Sequence, residues 1–584
     1  MTRRRSRRRI AASALALLAV LAVFLVRLID IQVVHADSLN AEAEDKRSIP
    51  QTIMGVRGDI YDSTGVLLAQ SVLRYDITAS PRTAVKSEVT PQQAAEQIAP
   101  ITGQKPEELV AAIQSAVEKD PDSDFAYLSK AVDAAAFEQI RDLEIPWVYY
   151  QAKPARVYPN GAVAGNLVGF VGSENQAQAG IELSEDECLA GEDGSEVYER
   201  SADGVRIPGS TIVTQEAVNG DDIVLTIDSD LQWFTQQTLA TYAQRWEAAW
   251  GTVVVQEVET GRLLAVADYP TVDPNNVSAT ADVDVSSLGS RAFTAPFEPG
   301  STFKTLTAAS LLDAGLATPN SEVVAPYRFT TPEGADVNDS TRHETWNLTL
   351  TGVLKESSNT GLAQLGLLMT RQQRYEYMQR FGFGARTEVG FGGEEGGDLN
   401  GGPDSWDAQT NLTTMFGQGL TVTAVQMASA YQAIGNEGVR MPVSLVQGCR
   451  APDGTITDAP PTEGTRVISE QAARQTVDML ENVAGKGWLA SQIEIPGYRL
   501  ATKTGTAQHA DGSGGYASTY IVSLAGLAPA DDPKYVVSVT LADPVKMNTS
   551  GAAAPVFREI MTQVLKQYAV VPSGTSSPDL ATNY

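Results

Sequence analysis

The longest apolar run of the chain lies close to its N-terminus. Residues 10–26 are apolar with one exception, and the run continues past Arg27 and Asp30 to Val34. A helix of about 20 residues crosses a bilayer, so the pattern predicts a transmembrane anchor over residues 10–34 whose end charges reach the interface. A cleaved signal peptide is the alternative, because small residues stand near Val34, but the run is longer than the apolar core of a usual signal peptide.

Strand-length apolar segments dominate the last part of the chain, where turns rich in Gly, Ser and Asp separate them. A helix that begins at Pro555 follows, and its apolar residues fall on one face. Two earlier strands are joined by the turn 259–261 and predict a hairpin. The five predicted strands are 252–258, 262–269, 500–507, 520–527 and 535–541. With the mostly helical segment 302–433 between them, they predict an α+β fold, an antiparallel five-stranded sheet flanked by helices.

The first part of the chain has a different pattern, in which short strand-like segments alternate with turns. It predicts a β-rich domain over residues 43–219, which we call the pedestal. An insertion at 90–144 predicts a small helical lobe, because Pro91 and Pro106 each stand at a first helical position. The predicted layout is a basic tail at 1–9, the anchor at 10–34, the pedestal at 43–219, a second domain at 221–570 and a disordered tail at 571–584. The last prediction rests on a composition rich in Pro, Ser, Gly and Thr.

Charge and cysteine content narrow the function classes. The 584 residues include 43 Lys and Arg against 71 Asp and Glu, and six arginines stand within the first nine positions. The arginines predict that the N-terminus stays in the cytoplasm, and the acidic remainder argues against a nucleic-acid partner. Cys188 and Cys449 are the only cysteines, and whether they pair is left open. The three histidines form no known metal-binding motif, and no cofactor is implied.

Three short motifs carry the candidate chemistry. In the first motif, Ser301 stands three residues before Lys304. The second motif is Ser357-Ser358-Asn359, and the third is a Lys-Thr-Gly-Thr segment that begins at Lys503. A serine is a poor nucleophile at neutral pH, and positions i and i+3 share a helical face, so the first lysine would stand beside the first serine as a base. Free N–H groups at the helix N-terminus also favour developing negative charge. The motifs therefore predict acyl transfer.

The order of these motifs resembles that of penicillin-binding proteins and serine β-lactamases. With the anchor and the pedestal, nearly the whole chain is similar to the class B penicillin-binding proteins, monofunctional peptidoglycan D,D-transpeptidases, and most to their division type as found in actinobacteria. Residues 57–62 resemble the first pedestal motif of that family, although Arg57 is expected to support the pedestal and not to touch substrate. Residues 417–419 and 421–423 resemble a segment between its second and third motifs. Thr502 departs from the pattern, since a glycine commonly precedes Lys-Thr-Gly.

The resemblance implies a role for each motif residue. Ser301 would attack the penultimate D-alanine carbonyl of a peptidoglycan stem pentapeptide, with Lys304 as its general base. Ser357 would relay a proton to the leaving amine, while Asn359 would bind the substrate amide and hold the base in place. Lys503 would attract the substrate carboxylate. The remaining implied site consists of the substrate-binding residues Thr504, Gly505 and Thr506, and of an oxyanion hole made by the backbone N–H groups of Ser301 and Thr506.

The resemblance also implies a location and partners. The chain would be a single-pass protein of the cell membrane with its N-terminus in the cytoplasm and its catalytic domain outside, and a target of β-lactam antibiotics. It would cross-link stem peptides during septal cell-wall synthesis, beside a membrane-embedded SEDS-type glycan polymerase and other division proteins. No segment before residue 221 predicts a glycosyltransferase domain of its own.

Other function classes share parts of this pattern. A serine β-lactamase must hydrolyse its acyl-enzyme quickly, which in one class depends on a glutamate that activates water, and the chain has no convincing counterpart of that segment. A β-lactam sensor and a D,D-carboxypeptidase are further alternatives. A scaffold of the cell-wall synthesis complex with a secondary acylation site is an alternative of another kind, against which the intact motif set argues.

Overall fold

The computed structural model describes residues 2–38, 48–172, 175–199, 207–277, 288–510 and 516–584. The chain forms two compact units, one made of Met1–Val56 and Gly191–Gly220 and the other of Arg57–Ala190 and Asp221–Tyr584. Each unit therefore consists of two segments that are distant in sequence.

The first unit contains the apolar N-terminal helix. The α-helix Thr2–Ile29 continues into a π-helical segment, Asp30–Val34, and the stretch Arg7–Val34 is long and apolar enough to cross a membrane. The predicted apolar helix is confirmed. The unit also contains an antiparallel three-stranded sheet, whose strands in order are Ser48–Ile53, Gly194–Glu199 and Ile212–Gln215.

The N-terminal part of the second unit is rich in strands and carries the predicted helical lobe. Its helices are Pro81–Ala84, Pro91–Thr102, Pro106–Lys119 and Ala134–Arg141. Thr90 caps the second of these with its side chain, as expected for a residue just before a helix-opening proline. The strand Ala126–Val132, which the sequence pattern did not predict, lies inside the lobe. Three short helices follow the lobe, at Gly165–Val168, Gly180–Ser184 and Asp186–Leu189.

A seven-stranded sheet joins this part to the rest of the unit. Its order is Ile456–Thr457, Val446–Arg450, Asp222–Leu225, Ile60–Tyr61, Leu67–Ala79 and Ala126–Val132, with Val148–Val157 also paired to Leu67–Ala79. One continuous core contains Ile60 and Leu68 from the N-terminal part as well as Val254 and Tyr431. The predicted boundary between a pedestal at 43–219 and a domain at 221–570 stays a prediction, because this core extends across it.

The central sheet of the second unit is the predicted antiparallel five-stranded sheet. Its order is Leu263–Tyr269, Trp250–Glu257, Tyr535–Ala542, Tyr516–Ala528 and Ala501–Ala510. Neighbouring residues face opposite sides, so Val254 and Ala525 enter one core while Val253 and Leu524 enter the other. Helices cover both faces, which confirms the α+β fold. They are Ser229–Trp246 and Ala553–Gln567 on one face and Ala424–Gly435 on the other.

The segment between the early and late strands contains most of the remaining helices, as predicted. They are Arg291–Thr294, Lys304–Asp313, Leu350–Glu356, Asn359–Gly366, Arg371–Arg380, Ala408–Thr413, Glu470–Lys486 and Ala490–Ile493. Two antiparallel strand pairs, which the sequence pattern did not reveal, also lie there. Their strands are Glu322–Ala325 with Trp346–Thr349 and Arg328–Thr330 with Asp336–Asn338, and a further pair joins Val439–Arg440 to Thr465–Arg466.

The C-terminal residues 571–584 contact other parts of the second unit, whereas their composition predicted a disordered tail. The side chain of Leu580 packs against the main core, and the Asn482 amide donates to the Pro578 carbonyl at 3.2 Å. The Thr349 backbone N–H donates to the Thr582 carbonyl at 3.1 Å. Composition predicted disorder because the tail has few apolar residues, but hydrogen bonds to its backbone hold it in place.

The two cysteines form a disulfide, a question that the sequence left open. Their Cα atoms are 6.0 Å apart, across 261 positions of sequence. Cys449 lies on the strand Val446–Arg450, which pairs with Asp222–Leu225. The N–H of Asp221 donates to the Cys188 carbonyl at 2.9 Å, so the same strand brings both cysteines together.

Candidate active site

The first motif forms a tight turn at the start of a helix. Ser301 lies in the 3-10 turn Gly300–Phe303, which leads directly into the helix Lys304–Asp313. Gly300 has a φ of +55°, and a Cβ there would stand 3.1 Å from the Thr506 carbonyl oxygen. The serine is partly exposed and lines an open cleft of about 870 Å³. The glycine therefore lets the turn that carries Ser301 approach the strand of the third motif.

The second motif forms the link between two helices on another wall of the cleft. Ser357 ends the helix Leu350–Glu356 in the left-handed conformation, at a φ of +58°, which costs a non-glycine residue about 1 kcal/mol. Ser358 caps the next helix, since its Oγ accepts the Gly361 N–H at 2.9 Å. The Asn359 amide donates to the Asn338 carbonyl at 2.8 Å. Strained backbone of this kind is typical of functional sites.

The third motif occupies the edge strand of the five-stranded sheet. Within Ala501–Ala510, Lys503 is fully buried, Thr504 is half-buried and Thr506 is exposed. The two threonines line the cleft. A Cβ at Gly505 would stand 2.8 Å from the Pro299 carbonyl oxygen and 2.3 Å from Ser523 Oγ. The packing of this strand on the turn that carries Ser301 therefore requires a glycine at residue 505.

Thr502, the departure from the family pattern, is accommodated by the neighbouring strand. It pairs with Gly526, where a Cβ would stand 2.7 Å from Thr502 Cγ2. The threonine thus fills space that a side chain at residue 526 would otherwise occupy. The strand pairs without a register shift from Thr502 to Gln508, and Thr504 and Thr506 line the cleft.

The Ser357 hydroxyl joins two buried lysines. The Lys304 ammonium lies 3.3 Å from Ser357 Oγ and also donates to the Ser357 carbonyl. The Lys503 ammonium donates to the same Oγ at 3.0 Å and to the Thr504 carbonyl at 3.1 Å. Both lysine side chains are 0% exposed. One hydroxyl therefore connects the lysines of the first and third motifs.

Burial changes the protonation of both lysines. Desolvation lowers the pKa of Lys304 to about 7, although the negative charge of Asp339 opposes that shift. Desolvation, together with the nearby charge of Lys304, lowers the pKa of Lys503 well below its usual value. Two like charges at this separation disfavour each other. A lysine amine that loses its proton near pH 7 can act as a general base.

The structure brings most of the predicted site residues to one cleft. Ser301, Ser357, Asn359, Thr504 and Thr506 line it, and the two lysines lie directly beneath. One predicted contact differs, because the amide of the asparagine bonds to a backbone carbonyl and not to the first lysine.

Sequence reasoning missed two carboxylates next to the motifs. Glu298 accepts the Gly419 N–H at 3.0 Å and the Tyr516 hydroxyl at 3.4 Å, and burial raises its pKa to about 6. Glu298 stands two residues before the turn Gly300–Phe303. That closeness to Ser301 along the chain could have marked it as a candidate site residue. Asp339 accepts hydrogen bonds from the second motif. Its position along the chain relative to that motif follows no known pattern, so no sequence feature indicates it.

Comparisons with known proteins agree with this geometry. The penicillin binding protein transpeptidase domain matches residues 251–562, and the penicillin-binding protein dimerisation domain matches residues 52–225. The chain is 34% identical to the penicillin-binding protein PbpB of Mycolicibacterium smegmatis, over 97% of this chain and 91% of that protein. It is 32% identical to the peptidoglycan D,D-transpeptidase FtsI of Escherichia coli, over 96% of this chain and 92% of that protein.

Solved structures of related proteins also match the chain. The crystal structure of a peptidoglycan synthetase from Bifidobacterium adolescentis matches with a TM-score of 0.72 and 32% identity, over 92% of this chain and all of that one. Penicillin binding protein 3 of Mycobacterium tuberculosis, solved in complex with ampicillin, matches with a TM-score of 0.71 and 28% identity, over 91% of this chain and all of that one. The chain therefore belongs to the class B penicillin-binding proteins and is a peptidoglycan D,D-transpeptidase.

Proposed function

We propose that Ser301 is the nucleophile of this transpeptidase and that Lys304 is its general base. The observation that carries the proposal is a pair of buried lysines joined through the Ser357 hydroxyl, with the partly exposed Ser301 in the same cleft. With a pKa of about 7, Lys304 is neutral in a large fraction of molecules at neutral pH. It would take the Ser301 hydroxyl proton as Oγ attacks the carbonyl carbon of the penultimate D-alanine.

Ser357 and Lys503 would complete the proton path. When the tetrahedral intermediate collapses, the bond to the terminal D-alanine breaks and its nitrogen needs a proton. Lys304 holds that proton, and the Ser357 hydroxyl, 3.3 Å away, is placed to pass it on. Lys503 would keep that hydroxyl oriented from the other side. Since two adjacent buried amines share protons as a pair, a bound substrate carboxylate would draw positive charge to Lys503 and leave Lys304 neutral.

The edge strand Ala501–Ala510 would bind the substrate backbone. An edge strand presents unpaired N–H and C=O groups to which an extended peptide can add as a further strand. Thr504 and Thr506 add hydroxyls to the cleft wall, and Gly505 keeps the strand close to the nucleophile turn. The oxyanion hole would consist of the backbone N–H groups of Ser301 and Thr506, and losing one such donor typically costs on the order of 3 kcal/mol. The Asn359 side chain, on the opposite wall, would bind the substrate amide.

The acyl-enzyme has two fates in this proposal. With the natural substrate, the amine of a second stem peptide attacks the ester carbonyl, forms the cross-link and returns the proton to the site. With a β-lactam, the ring amide opens onto Ser301, and the product stays attached. The crystal structures of penicillin binding protein 3 from Mycobacterium tuberculosis with ampicillin and with aztreonam support this reading for a relative.

The N-terminal helix and the disulfide support a location at the outer face of the membrane. The helix would anchor the chain once, with its arginines in the cytoplasm. The disulfide between Cys188 and Cys449 is typical of an oxidising compartment outside the cytoplasm. The similarity to FtsI and PbpB supports a role in septal synthesis, beside a SEDS-type glycan polymerase and other division proteins.

Covalent labelling tests the proposed nucleophile. The full-length chain in detergent is incubated with benzylpenicillin, and the intact mass is measured for the wild type, Ser301→Ala and Ser310→Ala. Ser310 is a matched control, because it lies on the same helix and donates only to the Leu306 carbonyl. We expect one stable adduct on the wild type and the control and none on Ser301→Ala. An unlabelled wild type would favour a scaffold, and rapid release of hydrolysed drug would favour a β-lactamase.

A further inference from the structure

A buried carboxylate lies beneath the turn of the second motif. Asp339 follows the short strand Asp336–Asn338 and is 4% exposed. Its Oδ1 accepts the backbone N–H groups of Asn359 at 2.5 Å and of Thr360 at 3.0 Å. Its Oδ2 accepts the hydroxyl of Ser358 at 2.7 Å. One carboxylate therefore binds three consecutive residues of the turn.

These hydrogen bonds lie directly beside the strained residue of the turn, Ser357. Ser357 is left-handed, a conformation that a non-glycine residue keeps only when its surroundings hold it. The bonds from Asp339 act on the first turn of the helix Asn359–Gly366, which directly follows. An anionic group is favourable there, because the first N–H groups of a helix have no partners inside it. The position of the Ser357 hydroxyl thus depends on contacts made by its neighbours.

His343 holds the carboxylate from the other side. Its Nε2 lies 2.9 Å from Asp339 Oδ2, and its Nδ1 lies 2.5 Å from the Glu344 carbonyl oxygen. Both ring nitrogens face an oxygen, so the ring has a hydrogen-bond partner on either side. The ring stacks on Trp346 with centroids 3.4 Å apart and meets the edge of Tyr327. His343 is therefore fixed by packing on its faces and by hydrogen bonds at its edge.

Asp339 also acts on the base through space. Its charge opposes the effect of burial on the pKa of Lys304. The titratable groups that face Asp339 are His343, in direct contact, and Lys304; Arg342 lies over the Tyr327 ring at 6.0 Å. Asp339 therefore contributes a negative charge that acts on Lys304.

We propose that Asp339, braced by His343, is a positioning residue for acyl transfer, which fixes residues 358–360 so that the hydroxyl of the preceding Ser357 stays between the two lysine amines. Nothing in the motif pattern assigns it this role. The inference rests on the proposed function, because it concerns the same serine and lysines. It predicts that the carboxylate affects both the rate of acylation and the pH at which acylation begins.

The test measures the second-order rate constant of acylation by a fluorescent penicillin from pH 5 to 9, with the full-length chain in detergent. The variants are Asp339→Asn and the control Glu394→Gln, a buried carboxylate whose hydrogen bonds go to Thr387. We expect Asp339→Asn to lower the plateau about tenfold or more, as misplacement of a catalytic group does. We also expect the rise of the rate with pH to begin about one unit lower, because Lys304 loses a nearby opposite charge. The control should do neither.

A second pair of variants keeps the proposal testable if Asp339→Asn does not fold. His343→Phe keeps an aromatic ring against Trp346 but removes both donors, and His343→Gln restores one donor. We expect a lower plateau for His343→Phe and partial recovery for His343→Gln. An unchanged plateau and midpoint in Asp339→Asn, or equal rates in the two His343 variants, would overturn this inference alone. A wild type that takes up no penicillin would overturn the proposed function instead.

Discussion

Two clusters of buried cations in the second compact unit have opposite electrostatic surroundings. Near its N-terminal segment, Arg57 donates to the Glu182 carboxylate at 2.6 Å and to Asp186 at 2.5 Å, and Arg156 donates to the other oxygen of Glu182 at 2.6 Å. These cations are paired with carboxylates. In the cleft, Lys304 and Lys503 are equally buried, but both donate to a neutral hydroxyl.

The difference explains why the lysine cluster is the one proposed to carry chemistry. A buried cation with a carboxylate partner keeps its proton and serves structure, and removing the partner is expensive. A buried cation beside another cation loses its proton more easily, and burial lowers the pKa of Lys304 to about 7. Burial alone therefore does not distinguish the two clusters: the arginines contact carboxylates directly, whereas the charge of Asp339 does not offset the desolvation of Lys304.

The largest effect on the acylation rate is expected when Lys304, the proposed base, is replaced. We expect Lys304→Met to lower the rate constant of penicillin acylation by about a thousandfold, within the range for a general base. Stopped-flow labelling of the full-length chain measures it. Lys534→Met, at an exposed lysine that pairs with Asp532, is the control and should stay within about twofold of the wild type. Near-normal labelling of Lys304→Met would remove Lys304 from the mechanism.

The same variant tests the cost of burial. Because the pKa of Lys304 is lowered in the folded state, the unfolded chain binds more protons between pH about 7 and about 10. The burial penalty is thus greatest below pH 7 and shrinks as pH rises. Chemical unfolding should show Lys304→Met to be more stable than the wild type, by most at low pH. A loss of stability across this range would show that the hydrogen bonds to Ser357 and the charge of Asp339 outweigh the cost of burial.

The opposite change is expected in the paired cluster. Glu182→Gln leaves two buried arginines without their shared carboxylate, which should cost about 3–5 kcal/mol of the free energy of unfolding. Acylation per folded molecule should stay near the wild-type value. Asp142→Asn, which breaks the exposed pair with Arg141, is the matched control and should cost less than about 1 kcal/mol. A large loss of acylation in folded Glu182→Gln would mean that the two clusters are coupled.

Opening the disulfide should have a smaller effect on the same cluster. Cys188 stands two residues after Asp186 on one short helix, so the bond ties the paired cluster to the strand Val446–Arg450. Replacing both cysteines with serine should cost about 2–4 kcal/mol, the usual range for a native disulfide. Denaturant unfolding would measure it, with acylation at the wild-type rate as a second readout. An unchanged midpoint would show that hydrogen bonds alone hold this junction.

Sequence patterns predicted the elements that are long or regular. The five strands of the central sheet were found because each is at least seven residues long and rich in apolar or β-branched residues, and the helix Ala553–Gln567 because its apolar residues keep a helical period. The strands Arg328–Thr330 and Asp336–Asn338 are too short to show a period. The contacts of the C-terminal tail were missed for another reason, since they are hydrogen bonds with distant residues.

The candidate site was predictable in composition and less so in geometry. The three motifs identify Ser301 and both lysines, but only the fold shows that one hydroxyl joins those lysines. The contact of Asn359 with Asn338 and the carboxylate of Asp339 depend on a strand pair that the sequence did not reveal. Contacts of this kind follow from three-dimensional packing and have no fixed spacing along the chain.

The most direct test of the contrast between the two clusters is the pH dependence of acylation in the wild type. If Lys304 acts as a neutral base because its burial lowers its pKa to about 7, the acylation rate constant should rise about tenfold per pH unit below 7 and level off above it. Full-length protein and a fluorescent penicillin suffice, with rates measured from pH 5 to 10. A midpoint near 7 is the predicted result. A rate that is flat over this range, or that still rises near pH 10, would contradict the account.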